Sequence, residues 1–332
     1  MSRFARITFV LSLFISSCGM DLNSQMKLSQ GLEVERFQTE PDGAPTKFPV
    51  VFVSGIFSNG GAGDAVRKLL AGLEADGHRT YLTAPPAISG VENRLPDSRK
   101  AVRQALEETG AAKVNLLAYS MGALDARCLA SEEEFNGRIA SVTTLSGVNY
   151  GAPSAANVHK IISSLPESWQ GQIEKFVIGM LQHTEWGDDR MAVLDTLKDL
   201  SPEGAAEVGR RCRPNKDVYY QSFASLATVL GGHAKNQLEH CEGRLWGDHR
   251  RPHRMAGGLA GSMLAFSPLL EWIPSDGTVS VEAQKFGDFR GCVPTDHWGI
   301  IGLQKEDVPR RTGFDVAKFY RNIVFNLSAN GY

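Results

Sequence analysis

Five apolar segments of strand length recur along the chain, separated by stretches of helical pattern. They are "FPVVFVSG" from Phe48, "RTYLTA" from Arg79, "KVNLLAYS" from Lys113, "IASVTTLSG" from Ile139 and "DVYYQSFAS" from Asp217. The first is a continuous apolar run ending in a Gly turn, which is the form a strand takes when both its faces are covered. Between them lie "AGDAVRKLLAGLEADG", "DSRKAVRQALEETG" and "MGALDARCLA", with apolar residues at helical spacing and, in the first two, a closing Gly. Strand alternating with helix implies βαβ units, and so an α/β fold with a mostly parallel sheet and helices on both faces. In the second helix, Asp97 or Ser98 is the expected N-cap.

From about 155 to 200 the alternation stops and only helical periodicity remains, as in "AANVHKIISSLPESWQGQIEKFVIGMLQHTEWG". Ile161, Leu165, Trp169, Ile173, Phe176 and Met180 repeat every three to four residues. This pattern fits a helical pair packed on the core and equally a lid over an apolar cleft. Residues 225–272 form a long insertion rich in Gly, His and Arg.

The chain begins with Arg3 and Arg6, an apolar run from Ile7 to Ile15, and then Ile15-Ser16-Ser17-Cys18. Such a run is too short to span a bilayer and has the layout of an export signal. Its end resembles a bacterial lipobox, which implies that Cys18 is lipidated and becomes the mature N-terminus. The expected organisation is therefore a signal peptide at 1–17, a lipidated N-terminus and tether at 18–47, and one domain at 48–332. Gly19 after Cys18 favours the outer membrane. Four further cysteines would then lie in an oxidising space: Cys128, Cys212, Cys241 and Cys292. Cys128 sits in an apolar helix and is expected to be a buried free thiol; one disulfide is expected among the others, with Cys212–Cys241 foremost. A net charge of -2 from 35 basic and 37 acidic side chains gives no basis for a nucleic-acid partner. The basic stretch "GRLWGDHRRPHR", with Arg244, Arg250, Arg251 and Arg254 around Trp246, reads as a solvated loop and secondarily as a contact for anionic headgroups.

The chemistry is concentrated at "AYSMG". Ser120 follows a strand and precedes a helix, the strand-turn-helix context that exposes a nucleophilic serine, with Ala118 and Gly122 as its small flanking residues. A serine hydroxyl needs a base, an acid to orient that base, and donors for the oxyanion. Among the eight histidines only His297, in "TDHWG", follows a well-placed acid, Asp276 in "PSDGTV"; Glu282, Asp288 and Asp296 are the other carboxylates nearby. Ser120, Asp276 and His297 are thus the expected triad. Ile56, in the glycine-containing loop after the first strand, and Met121, after the serine, are the expected oxyanion donors through their backbone amides.

With these blocks in order, the chain resembles the bacterial true lipases of the Pseudomonas and Burkholderia type. "FPVVFVSGIF", "AKVNLLAYSMGA", "IASVTTLSGVNYGAP", "LKDLSPEGAAE", "SDGTVSVEAQ" and "DHWG" carry the resemblance, which runs from Phe48 to about Leu303. It implies an α/β-hydrolase fold with a helical lid, roughly Ser163 to Thr184, and a serine hydrolase acting on acyl esters, most of all a triacylglycerol lipase or carboxylesterase. A phospholipase or acyltransferase working on membrane lipids is the alternative, and a non-catalytic surface lipoprotein retaining the fold is a third reading. Some relatives require a dedicated folding chaperone. No cofactor is expected. The family's structural calcium uses an Asp two residues after the histidine, where this chain has Gly299, and the nearest Asp before the acid is Asp248, so the calcium site is expected to be absent or rebuilt. Ser54-Gly55 replaces the family's His-Gly before the oxyanion donor, Ala118 its elbow glycine, and Glu282 stands near its cysteine.

Overall fold

The computed structural model describes residues 34–35, 41–57, 60–182, 184, 187–228, 238–247, 274–303 and 312–332. Among them eight strands form one sheet in which every adjacent pair is parallel. The strands are β1 (Val34–Glu35), β2 (Val50–Val53), β3 (Thr80–Leu82), β4 (Val114–Tyr119), β5 (Ile139–Leu145), β6 (Tyr219–Ser225), β7 (Leu245–Trp246) and β8 (Asp288–Val293), in the spatial order β1-β7-β8-β6-β5-β4-β2-β3. All residues of β2, β4 and β5 are buried; β2 is wholly apolar, and the buried polar side chains of the other two are hydrogen-bonded, Ser141 to Asn115, Thr143 to Gln221 and Thr144 to Asn149.

Side chains alternate between the two faces of these strands and divide the core in two. Val51, Val53, Leu116, Ala118 and Val142 point to one cluster, completed by α2 (Val91–Thr109), α3 (Gly122–Ser131) and α7 (Pro202–Arg211). Val50, Phe52, Leu117, Tyr119 and Leu145 point to the other, completed by α1 (Gly60–Ala75) and α8 (Val316–Ala329). Each large aliphatic side chain fully buried there contributes about 1.5–3 kcal/mol.

Between β5 and β6 run α4 (Pro153–Ser163), α5 (Glu167–Leu181), α6 (Val193–Leu200) and then α7. Leu200, Ala205 and Val208 hold α6 and α7 on the core, whereas α5 has no buried residue. Glu174 ties α5 to α6 by accepting a 3.3 Å hydrogen bond from the Leu194 amide.

Several expectations are corrected. The helix anticipated from Asp97 or Ser98 begins at Val91, with Gly90 as N-cap and Pro96 inside it. Pro96 forgoes one backbone bond, but Val91, Arg94, Leu95 and Ser98 are buried and hold the first turns together. Asp97 instead pairs with Arg190 at 2.6 Å. Both disulfide expectations also fail: Cys128 is not a free thiol but bonds Cys212, and Cys241 bonds Cys292. Helix α3 packs along α7, so Cys128 meets the C-cap of α7, a pairing that sequence spacing does not encode. In the segment read as a tether, β1 pairs with β7, and the Lys47 amide donates to the Tyr332 carbonyl at 2.8 Å. Cys18 and the signal lie outside the described residues, as does most of the basic stretch at 243–254. No helix among the described residues is long and apolar enough to cross a membrane.

Candidate active site

Ser120 closes β4 in the left-handed region, with φ 54°. A non-glycine residue held there costs roughly 1–3 kcal/mol, and such outliers cluster at functional sites. The turn is fixed on both sides. The Ser120 amide donates to the Leu145 carbonyl at 3.2 Å, and its own carbonyl accepts from the amides of Ala123 and Val148, both at 3.1 Å. A Cβ at position 122 would sit 2.3 Å from the Val53 carbonyl oxygen, which explains why glycine is retained there. The Ala118 methyl, by contrast, is absorbed into the core cluster with Val51 and Val53, so an alanine replaces the first small residue without displacing the turn.

His297 and Asp276 arrive from separate loops at the carboxyl ends of the strands. His297 Nε2 lies 2.9 Å from Ser120 Oγ, and His297 Nδ1 lies 2.7 Å from Asp276 Oδ2. The second carboxylate oxygen of Asp276 accepts from the Thr278 and Val279 amides at 2.9 and 2.8 Å, which satisfies the buried acid and fixes its plane. All three residues are buried. The other carboxylates are engaged elsewhere: Glu282 with His240 and Lys285, Asp288 with Tyr219 and Arg290, and Asp296 with the Gly299 amide. Among the other described histidines, His78 packs on Phe325 and His159 meets Ser163.

The loop after β2 reaches Ser120 because Gly55 lacks a side chain; a Cβ there would lie 2.8 Å from Ser120 Cβ. Ser54 occupies the place where the resembled family has histidine. Its hydroxyl donates to the Thr83 carbonyl and its amide donates to Thr83 Oγ1, both at 3.0 Å, so it props the loop against the end of β3. Ile56 is half-buried and lines the cavity beside Ser120, followed by Phe57 in the left-handed region with φ 52°. Met121 caps α3.

One element of this construction was missed by sequence reasoning. Arg94, wholly buried on α2, donates from its guanidinium to the Ser54 carbonyl at 2.5 Å and the Pro86 carbonyl at 3.2 Å, and pairs through Nε with Asp125 Oδ2 at 2.9 Å. It thus joins the loop after β2 to the helix that follows Ser120. Burial pushes the Asp125 carboxyl up to about 6 against the pull of Arg94, and its Oδ1 has no hydrogen-bond partner. A signal existed, because Arg94 stands three residues after Val91, on the apolar face of its helix.

Above Ser120 and His297 opens a cavity of about 720 Å³. Its walls are mainly apolar and include Phe57, Val148 and Val158, Leu181, Leu197 and Trp298. A mainly apolar cleft with a few polar groups at its floor is the usual form of a small-molecule site. A calcium ligand at position 299 does not fit this loop: a Cβ there would lie 1.9 Å from Thr295 Oγ1, and the Gly299 amide is already held by Asp296 Oδ1 at 2.8 Å. Asp248 lies outside the described residues. Among the described residues no group of three or more His, Cys, Asp or Glu side chains is arranged to hold a metal ion.

Comparison with known proteins agrees with this architecture. Residues 49–185 match the family model described as the alpha/beta hydrolase fold. A triacylglycerol lipase of Vibrio cholerae is 30% identical over 246 residues, covering 67% of this chain and 73% of the relative. A triacylglycerol lipase of Pseudomonas fragi is 31% identical over 117 residues, 34% of this chain and 39% of that protein. Among solved structures, a metagenomic carboxyl esterase superposes with TM-score 0.61 at 15% identity, over 87% of this chain and 78% of that one. Staphylococcus hyicus lipase does so with TM-score 0.58 at 15% identity, over 88% and 99%.

Proposed function

The chain belongs to the bacterial lipases of the α/β-hydrolase fold and is a carboxylic ester hydrolase, and on that premise we propose that it cleaves long-chain acyl esters, triacylglycerols foremost, through Ser120, His297 and Asp276. The observation that carries this reading is the hydrogen-bonded line from Ser120 Oγ through His297 to Asp276, at 2.9 and 2.7 Å, on the floor of a large apolar cavity.

Ser120 Oγ attacks the ester carbonyl carbon while its proton passes to His297 Nε2. Asp276 keeps Nδ1 protonated and stabilises the imidazolium. The negative oxygen of the tetrahedral intermediate is held by the amides of Ile56 and Met121, which the Arg94-braced loop and the start of α3 carry. Collapse breaks the bond to the alcohol oxygen, which takes the proton from His297 and leaves the acyl group on Ser120. Water then adds to the acyl carbon, giving one proton to His297, and the second collapse returns that proton to Ser120 and releases the carboxylic acid, which ionises by losing its remaining proton to solvent.

Helices α4 and α5 act as a lid in this reading. Ser154, Ala155, Val158 and Leu181 give the cavity its outer wall, and α5 buries no residue of its own. Export with lipidation at Cys18 is part of the proposal; two disulfides in the domain suit an oxidising compartment.

Hydrolysis of p-nitrophenyl esters of increasing chain length tests the reading. Ser120→Ala is expected to lower kcat by roughly 10⁴-fold or more, and wild-type kcat/KM is expected to rise from acetate to chains of eight carbons or longer. Unchanged turnover in Ser120→Ala would overturn the triad, and a steady decline with chain length would leave an esterase without the lipase assignment.

A further inference from the structure

Tyr119 touches three of the loops that build the site. It immediately precedes Ser120 in β4, so its backbone leads directly into the strained turn of the nucleophile. Its hydroxyl crosses to the base loop and donates to the His297 carbonyl at 2.8 Å, while its ring lies 5.1 Å, centre to centre, from the imidazole. On its other side it faces the oxyanion loop: a Cβ placed on Gly55 would be only 3.0 Å from Tyr119 Cδ1. The side chain is buried and forms part of the cavity floor.

The contact with His297 completes a pair of backbone anchors. The His297 amide donates to the Asp276 carbonyl at 3.0 Å, so the acid's own main chain holds one side of the residue. The Tyr119 hydroxyl holds the other side and is joined through a single peptide bond to the atom group that the imidazole must reach. Burial, with the nearby Asp276 and Asp296 charges, pushes this hydroxyl well above the usual phenol range, so it remains protonated and can donate. A phenylalanine would fill the same volume, and packing alone therefore does not call for the hydroxyl. The hydrogen bond is what distinguishes a space-filling ring from a brace.

We infer that Tyr119 is a positioning residue for hydrolysis, fixing the base loop against the nucleophile turn so that His297 Nε2 is held within hydrogen-bond reach of Ser120 Oγ. The inference rests on the triad reading above. Displacement of a catalytic group by about 1 Å costs on the order of 100-fold in rate, and losing one neutral hydrogen bond that maintains such a distance is expected to cost about ten-fold.

The test is Tyr119→Phe, compared with wild type and Ser120→Ala, using a soluble p-nitrophenyl ester and an alkyl p-nitrophenyl phosphonate that titrates reactive serines. In Tyr119→Phe, kcat per titrated site should fall about ten-fold with KM within about two-fold, and phosphonylation should slow by the same factor. Replacing Tyr119 by p-aminophenylalanine, which keeps the ring and restores an N–H donor, should recover most of the loss. A residue that merely fills the core would lower the number of titratable sites and leave kcat per site unchanged. That result in Tyr119→Phe, or failure of the amino ring to recover kcat, overturns the inference. Turnover surviving in Ser120→Ala would instead overturn the triad reading, so the two failures are separable.

Discussion

The nucleophile side of the cavity and its outer wall are built in opposite ways. Around Ser120 every support is buried: β4 and β5 have no exposed residue, and Arg94 and Asp125 are fully enclosed. Across the cavity, α5 is folded yet buries nothing, and Trp169, Phe176 and Met180 are 61%, 66% and 57% exposed. The first region spends stability on fixed geometry, including a strained φ at Ser120 and a buried ion pair. The second buries no residue of its own, the packing expected of low-stability elements over binding sites. Apolar side chains facing water on α5, directly beside an apolar cavity, suit a surface that meets lipid.

The comparison breaks most severely at Arg94. Arg94→Met leaves Asp125 buried without its partner and the carbonyls of Ser54 and Pro86 without their donor. Breaking a buried pair in this way costs about 3–5 kcal/mol, to be read as a large fall in the denaturant midpoint. Adding Asp125→Leu should return much of that stability, because no uncompensated charge then remains. It should not return kcat, since the loop that carries Ile56 stays untied. Recovery of both together would mean that Arg94 serves only to neutralise Asp125.

A smaller effect comes from Asp125 itself. Its carboxyl is raised from an ordinary value of 3.8 to about 6, with burial as the leading cause. A raised carboxyl makes the folded state prefer the neutral form. Its contribution is therefore fully present below about pH 3.8 and is lost progressively as pH rises from there to about 6, a total loss of up to about 3 kcal/mol. Asp125→Asn removes this titration while keeping an acceptor for Arg94. Urea unfolding of wild type and Asp125→Asn from pH 4 to 7 should show wild type losing ground against the variant as pH rises. A constant difference would mean that Asp125 is ionised throughout.

The same contrast explains what was legible in the sequence. The strands that hold the site are buried on both faces, so β2 stands out as an unbroken apolar run, and β4 and β5 as strand-length segments rich in apolar and β-branched residues. Strand β8 was not read, because Asp288 and Arg290 at its start face solvent and pair with each other. The start of α2 was hidden by Pro96, which local rules place at a boundary but which tertiary burial of Arg94 and Leu95 overrides. Ser120, Asp276 and His297 could be selected by chain order and loop context. Arg94 left only the weaker signal of a charge on the apolar face of its helix, and its pairing with Asp125 left none, because the two meet only when two helices bring them together. The disulfides have the same character: Cys128 finds Cys212 through the packing of α3 on α7 and not through spacing.

The smallest effect on stability is expected on α5, and there it should be uncoupled from activity. Phe176→Ser and Trp169→Ser change side chains that are themselves largely exposed, so the unfolding free energy should move by no more than about 0.5 kcal/mol. Comparable truncations on the other side of the cavity, such as Leu117→Ala, should cost about 2–5 kcal/mol because Leu117 is fully enclosed. Turnover of a soluble short ester should be unchanged in both α5 variants. On an emulsified triacylglycerol their rates should fall several-fold, and the loss should be greater in the double variant, because apolar area available to the lipid surface has been removed. Full rates on the emulsion would mean that the exposed stripe of α5 takes no part in meeting the substrate. The outer wall would then be only a thinly packed cover, and the contrast with the nucleophile side one of stability alone.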